Sequence, residues 1–222
     1  MSNFLSKLLF WVLFLATGLS NLPAGHAAPP LCQNLFSETL SSPAVPLISM
    51  DSRYRGEDRG LYIDPVTQKP WQVHYYSMAE KNAFELIPQN GLLVHRNGKK
   101  ADSPFDAESL SFESALLVID KDLRIFILPF EERGRFHHSS LSAGEDVLFA
   151  GTAAFNAGVL RELSDQSGHY KPSPQQTLIA IKELQKMGVD LSMLKLSGRI
   201  AQHFRNTYYL SPKEVRDILN AN

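Results

Sequence analysis

The chain has 222 residues, of which 44% are hydrophobic and 20% charged, and its formal net charge is -1. These values are typical of a globular protein and give no reason to expect a polyanionic partner such as nucleic acid. Cys32 is the only cysteine, so no intrachain disulfide can form. The histidines lack metal-ligand spacing, and no metal site is expected.

Residues 1–27 have the pattern of a signal peptide. Lys7 precedes an apolar run over residues 8–19, which is too short to span a bilayer comfortably. Cleavage after Ala27 would place Gly25 at the -3 position. We therefore expect an exported protein, periplasmic or secreted, with no stable membrane span after processing. An uncleaved membrane anchor is the alternative.

The remaining chain divides into three predicted parts: an irregular lead-in over 28–53, a core domain over 54–196 and a C-terminal helical extension over 197–222. Alternation of apolar residues, β-rich runs and turn signals predict three hairpins and one further strand in the core. The hairpins pair 61–63 with 71–75, 116–119 with 124–130 and 147–155 with 159–164, and the further strand lies between Asn90-Gly91 and Asn97-Gly98. The stretch over residues 77–87 is expected to hold one helical turn or more ahead of that strand.

A helix is predicted from Ser173, which acts as its N-cap. Pro174 takes the first helical position, Gln176 completes a capping box and Gly188 lies beyond the end. A second helix is predicted from Ser211. The predicted class is therefore α+β: an antiparallel β-rich single domain with a capped helix packed on the sheet and a second terminal helix.

Two short polar clusters are the candidate site. The first is "FHHSS", residues 136–140, and the second is "SGHYKPSP", residues 167–174. Serine beside histidine supplies the groups for nucleophilic or acid-base catalysis. The candidate catalytic residues are His138 as base, Ser139 or Ser140 as nucleophile or substrate-hydroxyl partner, and His169 and Tyr170 closing the pocket.

The hairpin between the two clusters is predicted to bring them together, because its strands are similar in length and joined by a tight turn. In a strand, His138 and Ser140 would face the same way. The alternative is that the clusters are unrelated turns whose polar groups satisfy the local backbone.

The stretch from Gly134 to Ser173 resembles the core of the plant IQ-motif-containing calmodulin-binding proteins and of similar fungal and bacterial proteins. The resemblance rests on a His-Ser-Ser element at 138–140 and Ser-Gly-His-Tyr-x-Pro at 167–172. It extends over roughly residues 61–196 and implies a shared fold and pocket. Leu141 stands where the family has an aromatic residue, and the Ile-Gln calmodulin motif is absent, so calmodulin binding is not expected.

Two functions from different classes remain open at this point. The first is an exported ligand- or protein-binding domain with a polar His/Ser/Tyr pocket. The alternative is a secreted toxin- or effector-type enzyme using the same pocket, for example one resembling an ADP-ribosyltransferase. No acidic motif stands at diagnostic spacing, although Glu145 and Asp146 lie near the first cluster. The cofactor, if any, is unknown.

Overall fold

The computed structural model describes residues 46–108 and 111–221, which fall within one compact unit, Pro43–Asn222. The expected signal peptide, Cys32 and most of the lead-in lie outside the described residues. Within the described part of the chain, no helix is long and apolar enough to cross a membrane.

A mixed eight-stranded sheet forms the centre of this unit. Its strands are β1 (Glu85–Gln89), β2 (Leu92–His95), β5 (Ala115–Asp120), β6 (Ile125–Leu128), β7 (Val147–Asn156), β8 (Val159–Ser164), β9 (Lys195–Ser197) and β10 (Tyr209–Leu210). They lie in the order β10-β9-β8-β7-β5-β6-β1-β2, and only β8 and β9 are parallel neighbours. A separate small hairpin is formed by β3 (Phe105–Asp106) and β4 (Ser111–Phe112).

Helices are present before, between and after the strands. The described residues contain α1 (Met78–Lys81), α2 (His138–Ser142), α3 (Pro174–Lys186), α4 (Arg199–Arg205) and α5 (Pro212–Ala221). Short 3-10 turns at Ser52–Tyr54, Glu57–Arg59 and Asn82–Phe84 shape the N-terminal part.

The sheet is buried on both faces, which gives the unit three layers. Leu117 and Ile119 of β5 point to one face, where α3, α4 and α5 pack, and we call this the helical face. Leu116 and Val118 point to the other, which we call the site face. There the sheet is covered by α2, Tyr170 and the segment that begins at Ile48. Because successive side chains of a strand alternate, one apolar strand supplies both cores.

The predicted α+β class is confirmed, together with most of its elements. The hairpins β5–β6 and β7–β8 form as the β-rich runs and turn signals indicate. Helix α3 has Ser173 as its N-cap, Pro174 at its start and a complete capping box with Gln176. Helix α5 begins after Ser211 as predicted.

Three features differ from the sequence-based expectations. Residues 61–75 form a loop closed by an isolated bridge between Ile63 and Pro70, and not a pair of strands. The first polar cluster is not a strand, because α2 begins at His138. Several short elements without a strong local pattern were not predicted, namely β1, β3, β4, β9, α4 and β10, and residues 85–87, expected to be helical, belong to β1.

Candidate functional site

Helix α2 places the first polar cluster against the sheet. Its N-cap residue is His137, whose backbone N–H donates to Ser140 Oγ at 3.1 Å. The Ser140 hydroxyl therefore stabilises the start of the helix. Ser139 is fully buried, and its Oγ has no hydrogen-bond partner among the described residues.

His138 connects α2 to both the sheet and the second cluster. Its Nε2 lies 2.8 Å from the carbonyl oxygen of Gly151, and its Nδ1 lies 3.3 Å from Ser167 Oγ. A carbonyl only accepts, so Nε2 carries the proton and Nδ1 accepts from the Ser167 hydroxyl. Burial lowers the pKa of His138 to about 4, and the ring is neutral at neutral pH.

These bonds settle which serine lies beside the His138 ring. Both ring nitrogens are engaged, one by Gly151 and the other by Ser167. Neither Ser139 nor Ser140 is hydrogen-bonded to either nitrogen. The sequence pattern favoured Ser139 or Ser140 as the hydroxyl partner of His138. In the tertiary structure that partner is Ser167.

His169 belongs to a buried network that sequence reasoning missed. Its Nε2 lies 2.9 Å from Glu57 Oε2, and Tyr75 donates its hydroxyl to Glu57 Oε1 at 3.3 Å. Glu57 is fully buried. Burial of the Tyr75 hydroxyl, and after it the negative charge of Glu57, raise the pKa of Tyr75. In the sequence Glu57 stands in "RGEDRG", a charged run typical of an exposed turn, so no local signal identifies it.

His137 and His169 lie side by side between two larger aromatic rings. Their ring centroids are 4.7 Å apart. Trp71 stacks on His137 at 4.7 Å, and Tyr54 stacks on His169 at 4.1 Å. We call these four side chains the imidazole stack. It joins the N-terminal segment to both polar clusters.

Polar partners at the edge of the imidazole stack hold the orientation of two of its rings. The backbone N–H of Gly134 donates to His137 Nε2 at 2.9 Å, so the other nitrogen, Nδ1, donates to Glu131 at 3.0 Å. That bond lowers the pKa of Glu131. The Trp71 indole donates to the buried carboxylate of Asp64 at 3.0 Å.

The Tyr170 side chain is buried in the core, where its hydroxyl forms hydrogen bonds. Its hydroxyl donates to the carbonyl of Glu145 at 3.0 Å and lies 2.5 Å from Ser142 Oγ. Burial raises its pKa. The tyrosine therefore links the second cluster to the end of α2.

A cleft of about 500 Å³ opens next to the Ser167–His138 pair. Among the five candidate residues, His138 lines this cleft, whereas Ser139, Ser140, His169 and Tyr170 do not. The full lining is Leu116, Glu131, His138, Thr152, Gln166, Ser167, Gly168, Lys171 and Arg199.

Contacts with two aspartates position the two basic residues of this cleft, Lys171 and Arg199. Lys171 donates to Asp51 at 2.7 Å from a left-handed backbone conformation with φ 40°. Arg199 begins α4, and the buried carboxylate of Asp165 accepts the Arg199 and Ile200 amides at 2.8 Å each. Within the described ranges, no group of three or more His, Cys, Asp or Glu residues could hold a metal ion.

The two clusters thus meet in an α+β domain whose buried His, Ser, Tyr and Glu side chains adjoin a polar cleft. Residues 80–177, which include both clusters, match the family described as the IQ motif-containing protein middle domain. This match, together with the similar proteins below, confirms the resemblance predicted from the motifs.

Similar full-length proteins are found in Arabidopsis thaliana. IQ domain-containing protein IQM1 is 29% identical over 143 residues, which are 63% of this chain and 28% of the relative. IQ domain-containing protein IQM3 is 28% identical over 56% of this chain and 26% of its own length, and IQM2 is 25% identical over 56% and 20%. The chain thus spans little more than a quarter of these relatives at most. No solved structure matches it significantly.

Proposed function

We propose that this domain binds a small, polar, anion-bearing molecule in the cleft beside Ser167. The observation that carries the proposal is that hydrogen-bonding and cationic side chains line the same cleft. Ser167 and His138 supply the hydrogen-bonding groups, and Lys171 and Arg199 supply the positive charges. Binding sites for small molecules are concave and combine apolar walls with a few convergent polar groups. Cationic side chains at such a site favour a phosphate or carboxylate.

The backbone at Lys171 supports a functional role for this rim. A left-handed conformation is costly for a residue other than glycine, and a residue that precedes proline normally adopts an extended conformation. Lys171 has φ 40° and is followed by Pro172. Backbone strain of this kind is found preferentially at ligand-binding and active sites.

The proposal is tested by titrating the protein with inorganic pyrophosphate and with a nicotinamide dinucleotide, followed by calorimetry and by amide NMR shifts. We expect at least one probe to bind and to shift the Ser167 and Gly168 amides. Replacing either Lys171 or Arg199 with alanine should weaken binding roughly 10- to 100-fold, since one charge-assisted hydrogen bond contributes about 1.5–3 kcal/mol. Lys213→Ala on α5, where the lysine pairs with Asp217, is the matched control. Shifts confined to other surfaces would refute the proposal.

An effector-type enzyme that transfers ADP-ribose is the second candidate. Glu131 favours this candidate. Its pKa is lowered, so its carboxylate is ionised, and it lines the same cleft as Lys171 and Arg199. Glu145 and Asp146 line a different depression beside Asp120, so they do not supply this carboxylate. Release of nicotinamide from the dinucleotide, lost in Glu131→Gln, would support the enzyme. Binding without release would support the binding domain alone.

We also propose that the protein is exported and that residues 1–27 are removed. The support is the short apolar run followed by small residues up to Ala27. Intact-mass measurement of the protein recovered outside the cytosol should give the mass of a chain that begins at Ala28. Calmodulin is not a proposed partner, because the chain has no Ile-Gln motif with trailing basic residues.

A further inference from the structure

We propose that Ser167 is a nucleophile activated by His138 and that the cleft hydrolyses carboxylic esters bearing an anionic group. The proposal rests on the proposed function in one respect: the substrate occupies the same cleft. It assigns the reactive hydroxyl to Ser167, in the second polar cluster, and the base to His138 in the first.

The geometry around His138 is that of an oriented base. The Gly151 carbonyl holds the proton on Nε2 at 2.8 Å, which leaves the Nδ1 lone pair directed at Ser167 Oγ, 3.3 Å away. In serine hydrolases a third group orients the histidine in this way, usually a carboxylate. Hydrogen bonds between nucleophile and base are often long before substrate binds and shorten in the complex.

The serine itself is held in place by the backbone. The Tyr170 N–H donates to Ser167 Oγ at 3.3 Å, so the oxygen has a defined position while its proton points to His138. Ser167 is half-buried and lines the cleft, whereas Ser139 and Ser140 are fully buried. Of these three serines, only Ser167 therefore combines access to a substrate with a hydrogen bond to a histidine nitrogen.

The partner of His138 also indicates the substrate class. A neutral carbonyl stabilises an imidazolium less than a carboxylate does, so the proton affinity of His138 stays low. Such a pair suits an acyl group with a good leaving group, which favours an ester over an amide. Lys171 and Arg199 at the same cleft favour an acyl chain that carries a carboxylate or phosphate.

The reaction proceeds in two balanced steps. Ser167 Oγ attacks the ester carbonyl while its proton passes to His138 Nδ1, and the tetrahedral intermediate then expels the alcohol, which takes that proton. This forms an acyl-Ser167 ester and breaks the acyl–alcohol bond. A water molecule then gives its proton to His138 and attacks the acyl group, and Ser167 leaves with the proton. The net change is ester plus water to acid plus alcohol.

The first experiment treats the full chain with a fluorophosphonate probe, which phosphonylates activated serines with loss of fluoride. We expect one adduct by intact mass, mapped to Ser167 by peptide sequencing, and none in Ser167→Ala. Ser192→Ala, which changes an exposed serine outside the cleft, should keep the adduct.

The second experiment measures hydrolysis of 4-nitrophenyl acetate and of the corresponding hemisuccinate. We expect the anionic hemisuccinate to be the better substrate by at least about 10-fold, and His138→Gln to lower the rate about 100-fold or more, as loss of a general base does. Because the pKa of His138 is about 4, the rate should stay flat from pH 8 to about 5 and fall by half near pH 4. Circular dichroism at each pH confirms that the domain is still folded.

The outcomes separate this inference from the proposed function. If pyrophosphate or the dinucleotide binds in the cleft but no adduct forms on Ser167, the nucleophile is refuted and the binding function stands. If neither binding nor an adduct is observed, both fail. An adduct on any other residue, or hydrolysis unchanged in Ser167→Ala, also refutes the inference. Should His138→Gln fail to fold, the Ser167→Ala comparison decides the question.

Discussion

Gly151 and His138 meet at one hydrogen bond that joins β7 to α2. A glycine in the middle of a strand is usually unfavourable, and it commonly marks a close approach of another backbone. Here a Cβ at position 151 would clash with the Ser164 carbonyl oxygen and would lie 2.7 Å from the Phe149 ring. The glycine therefore allows β8 to approach closely behind the His138 acceptor.

Gly151→Ala should lower the free energy of unfolding by about 3 kcal/mol, because neither the Ser164 backbone nor the packed Phe149 ring can move freely. Urea denaturation followed by fluorescence measures this change. Gly168→Ala is the control, since a Cβ there has no heavy atom within 4 Å, and its stability should change by less than about 0.5 kcal/mol. If the two substitutions lowered the stability equally, a clash with Ser164 and Phe149 would not be the cause of the effect at Gly151.

The buried His138 ring predicts a pH dependence of stability. Its pKa falls from the ordinary 6.5 to about 4 on folding, so the unfolded chain binds a proton at a higher pH than the folded domain does. Stability is therefore complete above pH 6.5 and is lost as the pH falls towards 4. By linkage the loss from this group is about 2 kcal/mol between pH 7 and pH 5.

Denaturation at pH 7 and pH 5 tests this for the natural chain and for His138→Gln, whose amide can still donate to Gly151. The variant should lose less stability over this interval by roughly the same 2 kcal/mol. Asp51 and Asp64, whose ion pairs hold their pKa values low, lose their contribution only at still lower pH. An identical pH slope in both proteins would contradict the assignment of a neutral His138.

Among the secondary-structure elements, α3 is the one whose local signals and tertiary role agree most closely. Ser173 Oγ accepts from the Gln176 amide at 3.2 Å, and the Gln176 side chain accepts from the Ser173 amide at 2.9 Å. Ala180, Ile181 and Leu184 then pack on the helical face. The capping box starts the helix at the end of the second polar cluster.

Ser173→Ala should destabilise the domain by about 1 kcal/mol, the usual effect of losing an N-cap hydroxyl. Ser173→Asp should retain most of the stability, because aspartate is an equally good N-cap. Thermal unfolding by circular dichroism compares the two. A Ser173→Asp variant as unstable as Ser173→Ala would mean that the cap does not account for the loss.

Across the whole molecule, the last elements of the chain complete the core of the sheet. Strand β10 pairs with β9, and α5 buries Val215 and Ile218 on the helical face together with residues of α3 and α4. Residues 197–222, predicted from the sequence as an extension, thus contribute to the same core as residues of β5 and β7. The domain should accordingly unfold as one cooperative unit.

Val215→Asp should destabilise the entire domain by about 3 kcal/mol or more, since it places an unpaired charge in the core. Asn220→Asp introduces the same side chain at an exposed position of the same helix and should have little effect. Hydrogen exchange distinguishes global from local loss. Faster exchange in β5 and β7 of Val215→Asp is expected, and an effect confined to α5 would argue against one cooperative core.

The helices and hairpins with strong local signals were predictable because the signals act over a few residues. Runs of β-forming residues between turn signals identified β5 to β8, and a capping box identified α3. Helix α2 was not predicted, because four of its five residues are polar and its first turn is stabilised by Ser140 and by burial against the sheet. The contact between the two polar clusters followed from the hairpin that separates them.

The chemistry of the site, in contrast, depended on contacts between residues far apart in the chain. The sequence placed serines next to His138, but the hydroxyl at its ring belongs to Ser167, 29 residues away. Glu57 reaches His169 across 112 residues. Propensity and capping are properties of short segments, whereas burial, pKa and hydrogen-bond partners depend on which segments the folded core brings together. The local sequence was therefore enough to identify most elements and the two clusters, and only the tertiary structure decided which hydroxyl and which carboxylate meet each histidine.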